Sequence, residues 1–287
     1  MAAIFGFGSA PNAFIVANGS VLDYQNLPPA YEGQFKTYAW NAMQLKAFTT
    51  GPKDYHWALK HAGDWSARGP SDMMPHLNTE IVTRGSNGLA QMGHGRVTSV
   101  AFAPNGTSWF IRYDTKQCLW GPHPDAFPST WRSIIDDLER NHPRKDECID
   151  FVAFGLHELL LVRFENGNSM MFLPDNPAVR NQISAEFIKE VEERLAAGWT
   201  LGNRTTLCAF DTNRWFIEWR RGSDAVFKYS MGLGDRNQED LARVQKVLSG
   251  AGNNPAAVAN NEAAQLAAAN GRFATAVSVN RALFGRW

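Results

Sequence analysis

The chain has 287 residues, 44% of them hydrophobic, and its 28 basic and 28 acidic residues cancel. This length buries a large core without help from disulfides or metal. The balanced charge supplies no field drawing the chain to nucleic acid or an anionic membrane surface, so neither is expected as a partner.

The first residues, MAAIFGFGSAPNAFIVANG, lack the basic start and uninterrupted apolar run of a secretory signal. No segment approaches the ~20 apolar residues of a membrane helix, and a cytoplasmic location is expected. Three strand-like segments then recur in order. The first unit, about 4–45, carries Gly6-Phe7, AFIV (13–16) and VLDY (21–24). The second, 46–96, carries Ala47-Phe48, HWAL (56–59) and DWSA (64–67). The third, 97–148, carries Ala101-Phe102, WFIRY (109–113) and QCLW (117–120). The fourth, 149–203, carries Ala153-Phe154, LLVRF (160–164) and SMMF (169–172). The fifth, 204–250, carries Ala209-Phe210, WFIEW (215–219) and AVFKY (225–229). Each unit reads as an apolar strand ending at an aromatic anchor, an aromatic second strand and a third strand after a short turn.

Between units the hydrophobic period changes from 2 to about 3.6. PSTWRSIIDDLERN (128–141) places Trp131, Ile134, Ile135 and Leu138 on one face. SAEFIKEVEERLAAG (184–198) starts at Ser184 as N-cap and closes at Gly198. NQEDLARVQKVLSG (237–250) aligns Leu241, Val244 and Leu248. Beyond it, residues 251–287 are rich in Ala and Asn and read either as an arm closing the structure or as a mobile tail. The expected fold is mainly β with added helices: five three-stranded repeats forming a propeller-like ring in one domain, 1–250, with helices between repeats. A single three-stranded unit cannot bury its own apolar face, and a row of units leaves raw edges. An open solenoid is the competing geometry.

One unit also carries a resemblance. Gly93-His94, Val100-Ala101-Phe102, Pro104-Asn105-Gly106, Asp114 and Leu119-Trp120 stand in the order of a WD40 blade, with its Gly-His, its strand, its Pro-Asp-Gly-type turn and its closing Trp-Asp. Residues 93–121 are similar to that family, although Gly121 follows Trp120 where the family has Asp. The resemblance implies a propeller architecture and a structural hydrogen-bonding role for His94.

Strand alternation nominates the first candidate site residues. On the second strands, Arg112, Arg163 and Glu218 occupy matching positions on the face opposite Trp109, Leu160 and Trp215. They read either as charges paired between neighbouring units or as polar groups converging on a cavity suited to an anionic or hydroxyl-rich ligand. Of the ten tryptophans, Trp40, Trp65 and Trp287 lie outside the clearest strand pattern and suit stacking on a flat ligand. His56, His61, His76, His94 and His123 lie near Asp54, Asp64, Asp72 and Asp125 in loop-like sequence, and could supply an acid/base pair. His56 and His94 complete the candidate ligand-binding set.

Recognisable catalytic signatures are missing. HELLL (157–161) lacks the second His of a zinc-protease helix and sits in strand context, and GFGSAP (6–11) has no βαβ surroundings. Cys118, Cys148 and Cys208 show no ligand spacing and read as buried thiols. No metal and no cofactor is expected. The leading expectation is a non-enzymatic protein binding a peptide, protein or glycan. The alternatives are a motif-poor cyclase, isomerase or lyase acting on an apolar small molecule in a central aromatic cavity, and a lectin with one sugar site per repeat.

Overall fold

Five small antiparallel sheets follow one another along the chain. The computed structural model describes residues 3–18, 21–29, 47–53, 57–61, 64–77, 96–121, 131, 149–232 and 235–250, all within the unit Met1–Ala251. Sheet one is β1 (Ile4–Phe7), β2 (Phe14–Asn18) and β3 (Val21–Gln25). Sheet two is β4 (Ala47–Thr50), β5 (Trp57–His61) and β6 (Asp64–Arg68), followed by a helical turn, α1 (Met74–Leu77). Sheet three is β7 (Val97–Phe102), β8 (Trp109–Tyr113) and β9 (Cys118–Gly121). Sheet four is β10 (Ile149–Phe154), β11 (Leu160–Phe164) and β12 (Ser169–Phe172), followed by α2 (Pro177–Arg180) and α3 (Ala185–Ala196). Sheet five has a divided first strand, β13 (Thr200–Leu201) and β14 (Thr206–Leu207), then β15 (Arg214–Arg221) and β16 (Asp224–Met231); α4 (Asp235–Gly250) comes last.

Turn chemistry explains why the strands stop where they do. After β7, Asn105 Oδ1 accepts from the backbone N–H groups of Thr107 and Ser108 at 3.0 and 2.8 Å, and Gly106 takes φ +71°. Between β10 and β11 the two central residues, His157 and Glu158, both have positive φ, the signature of a type I′ hairpin. Helix α3 begins as its sequence requires, with Ser184 Oγ accepting from Phe187 N at 3.4 Å. Its C-terminus runs into Gly198 at φ +75°.

Register corrects two of the five strand anchors. Phe7, Phe102 and Phe154 stand opposite Phe14, Trp109 and Leu160 at the hairpin ends. In sheets two and five that place is held by Thr50, opposite Trp57, and Leu207, opposite Trp215. Ala47-Phe48 therefore opens its strand instead of closing it, and Ala209-Phe210 falls in the loop after β14, where Phe210 is exposed. Recurring letters misled here because hairpin length, not the Ala-Phe pair, sets the pairing. The unit boundary moves for a related reason. β13 pairs with β15, so residues 200–203, assigned by spacing to the fourth unit, belong to the fifth.

Alternate residues of the second strands of sheets three, four and five enter different hydrophobic clusters, each shared by two consecutive sheets. Trp109, Ile111 and Tyr113 pack with Ala58 of sheet two and Met73. Phe110 packs the other way, with Trp131 and with Phe154, Leu160 and Val162 of sheet four. Leu161 joins Trp215, Ile217 and Trp219 of sheet five under Phe187 and Val191 of α3. Phe216 then meets Phe5, Phe14 and Val16 of sheet one, covered by Val244 and Val247 of α4. Sheets one and two meet where Phe48 leaves no room for a side chain at Gly6 and Thr50 Oγ1 donates to Phe7 O. A fully buried side chain of this kind contributes about 1.5–3 kcal/mol, so stability resides between sheets more than within any one of them.

The first strands also approach one another. β1 adjoins β4, β4 adjoins β7, β7 adjoins β10, β10 adjoins β14, and β14 adjoins β1. No helix among the described residues is long and apolar enough to cross a membrane. The expected arm at 251–287, and the expected helix at 128–141 apart from Trp131, lie outside the described residues.

Candidate functional site

A cavity of about 420 Å³ opens where these five first strands come together, and every one of them contributes to its wall. Each forms the edge of its sheet, hydrogen-bonded to a neighbour on one side only. Among the described residues, the backbone N–H and C=O groups on the other side meet no neighbouring strand of a sheet. No backbone hydrogen bond joins these strands to one another among the described residues. Such groups need water or a polar ligand, because an orphaned backbone group in an apolar setting is costly.

The wall adds hydroxyls. Thr49, Thr50, Thr98, Ser99, Thr205 and Thr206 all line it. Thr50 is bonded to Phe7 O and Thr98 to Arg112 O, the latter at 3.0 Å. The hydroxyls of Thr49, Ser99 and Thr206 make no hydrogen bond to the described residues. The lining phenylalanines Phe5, Phe102, Phe151 and Phe154 are buried in the clusters between sheets, so the wall is less aromatic than its residue names suggest.

Charge enters from sheet five, where the first strand is divided. Residues 202–205 bulge out between β13 and β14, and the side chain of Glu218, fully buried, fills the space behind them. A Cβ on Gly202 would overlap the Glu218 carboxylate, so glycine is required there. Glu218 Oε2 accepts from Arg204 N at 3.1 Å. Its Oε1 accepts from Arg220 Nε at 2.9 Å and lies 2.8 Å from Arg220 Nη2 and 3.2 Å from Arg204 Nη2. Arg204 also donates through Nη1 to Ala3 O at 3.1 Å, and its guanidinium lies 5.2 Å from the Phe227 ring. Burial pulls the Arg204 guanidinium below its usual pKa; Glu218 opposes this and Arg220 adds to it. Arg204 and Arg220 line the cavity.

The three second-strand charges stand one strand back from the wall, at junctions between sheets. Arg112, 3% exposed, pairs with Glu165 on sheet four. Arg163 pairs with Asp150 of its own sheet, donates to Leu201 O at 2.6 Å and bonds Asn203 Oδ1, both on sheet five. Glu218 reaches the cavity only through its two arginines. These contacts follow one another around the sheets, from three to four, four to five, and, through Arg204, five to one.

Of the remaining candidates, Trp65 lies on β6 opposite Lys60, while Trp40, His56 and His94 lie outside the described residues. His157 and Glu158 of HELLL form the β10–β11 turn and no metal-binding helix. The described residues contain no cluster of His, Cys, Asp and Glu able to hold a metal. Cys118 and Cys208 are buried and in no disulfide, and burial pushes the Cys208 thiol up. Sequence reading passed over Arg204 and Arg220. The available signal was Arg220 two residues after Glu218, hence on the same face of one strand. Comparison with known proteins adds no relative: no family model matches the chain, and searches of curated proteins and solved structures found no match.

Proposed function

We propose that the five sheets are the blades of a closed, five-bladed propeller-like ring, and that the chain is a non-enzymatic binding protein holding a hydroxyl-rich small molecule or glycan segment in the cavity at its centre. The observation that carries this is a polar cavity walled by the edge strands of all five sheets. Closure is supported by the cyclic order in which first strands adjoin and by the packing of sheet five on sheet one. About 420 Å³ is the scale of a small-ligand site. Edge-strand backbone groups and the hydroxyls of Thr49, Ser99 and Thr206 suit a ligand that is itself rich in donors and acceptors. An apolar ligand would strand them.

Binding is favoured over catalysis by what the wall contains. Its only ionisable side chains among the described residues are Arg204 and Arg220. Arginine stays protonated, so neither serves as a general acid/base near neutral pH. Equivalent sugar sites on each repeat find no support either, since the charged and aromatic groups differ from sheet to sheet. The test is mass spectrometry of the native protein for a retained small molecule, followed by thermal-shift screening against mono- and oligosaccharides. Stabilisation with one ligand per chain is expected. Several equivalent sites would favour the per-repeat lectin. A retained apolar molecule would overturn the reading.

A further inference from the structure

We propose that the ligand of this cavity carries an anionic group, a carboxylate or a phosphoryl ester, and that Arg204 and Arg220 receive it on the sheet-five side. The inference rests on the cavity being a binding site. Its basis is a local imbalance of charge in a prearranged geometry. Two guanidinium groups face one carboxylate, Glu218, leaving one positive charge in surplus. No Asp or Glu is among the described residues lining the cavity. Asp150, on the adjoining sheet, is taken by Arg163, whose guanidinium also bonds Asn203 Oδ1 of the bulge.

A purely structural ion pair would need only one arginine, because adding a second to a fully buried carboxylate leaves an uncompensated cation that must face solvent or a ligand. Both arginines face the cavity. Arg220 is 44% exposed, and Arg204 is 21% exposed. Glu218 acts here as a positioning residue. Both its oxygens are engaged, one by the two guanidinium groups and the other by Arg204 N. Arg204 is held further by Ala3 O and the Phe227 ring. Planar guanidinium forks fixed beforehand lose little freedom on taking up a carboxylate or phosphoryl group, which they recognise in two-pronged fashion. The hydroxyls of Thr49, Ser99 and Thr206 are placed to meet the rest of a hydroxylated ligand.

Calorimetric titration of the full chain with glucose, glucuronate, glucose 6-phosphate and inorganic phosphate tests this. The wild type, Arg220→Ala and Arg220→Lys would be compared, with thermal melts confirming that each is folded. At least one anionic probe is expected to bind tenfold or more tightly than glucose, and to weaken as sodium chloride is raised from 50 to 500 mM. Arg220→Ala should abolish that preference, and Arg220→Lys should retain part of it. The ranking of glucuronate against glucose 6-phosphate distinguishes a carboxylate ligand from a phosphoryl one. Equal affinity for glucose and the anions, or a preference unchanged in Arg220→Ala, overturns the anion site while leaving the cavity reading in place. Failure of all four probes overturns the anion site as well, and the saccharide screen then decides separately whether the cavity binds anything.

Discussion

Trp109 and Gly121 are register partners on β8 and β9, and the indole occupies the space a Cβ on Gly121 would need. The same ring donates through Nε1 to Asp72 Oδ2 at 3.0 Å, which holds it in place. Glycine after Trp120, where the WD40 pattern has aspartate, thus has a local steric cause. Gly121→Ala is expected to cost about 2–3 kcal/mol, the upper range for overpacking a tight core. The cost should fall sharply in a Trp109→Phe background, because the smaller ring vacates the space. Urea denaturation of the four proteins measures the coupling; additive effects would show that the ring is not the cause.

Arg112 and Glu165 join sheets three and four, and Lys116 Nζ shares the carboxylate at 3.2 Å. Glu165→Gln takes the Glu165 carboxylate away from the buried Arg112 guanidinium. Since the Glu165 side chain is 32% exposed, the expected cost is about 1–2 kcal/mol, below the 3–5 kcal/mol of a fully buried pair. Adding Arg112→Met should recover roughly half of it. A double-mutant cycle from urea midpoints decides; absence of recovery would show that Arg112 acts mainly through its bond to Lys116 O.

The β10–β11 turn places two non-glycine residues, His157 and Glu158, at positive φ. Asn-Gly is the preferred occupant of such a turn. The double replacement His157→Asn, Glu158→Gly is expected to stabilise the protein by about 1 kcal/mol. It keeps the carbonyl of residue 158, which accepts from Trp131 Nε1 at 2.9 Å. A lowered urea midpoint would show that the native side chains contribute contacts worth more than the backbone strain.

Tyr113 sits in the cluster between sheets two and three, and its hydroxyl donates to His76 O at 3.0 Å. Burial raises its pKa far above the usual phenol value. Below about pH 10 the phenol is neutral both folded and unfolded and adds no pH dependence. Above that, the unfolded chain releases the proton while the folded chain retains it, so stability falls as pH rises. Tyr113→Phe should flatten this alkaline decline while lowering stability at pH 8 through the lost hydrogen bond. Urea midpoints at pH 8 and pH 11 test both; an unchanged alkaline decline would assign it to another group.

Second and third strands were legible because their aromatic and β-branched residues alternate within short runs, and SMMF begins and ends where β12 does. Helix α3 was legible for a similar reason, its cap and its apolar stripe both being local. First strands were harder. In sheet two the closing position belongs to Thr50, and in sheet five the strand is split around Gly202 and Glu218, which no periodicity announces.

The cavity is less local still. Arg204 reaches the carbonyl of Ala3 across 201 positions of chain, and the wall draws on segments from all five sheets. Sequence by itself determined a repeating three-stranded β unit, its turns, the helices at 184–198 and 237–250 and a set of charged positions on the second strands, because each depends on neighbours a few residues apart. Tertiary structure alone decided which edges face one another, that Arg112 and Arg163 join neighbouring sheets, and that Arg204 and Arg220 share one buried carboxylate at the cavity wall. Those outcomes follow from packing between sheets and from the desolvation of charge, which arise only once distant strands have met.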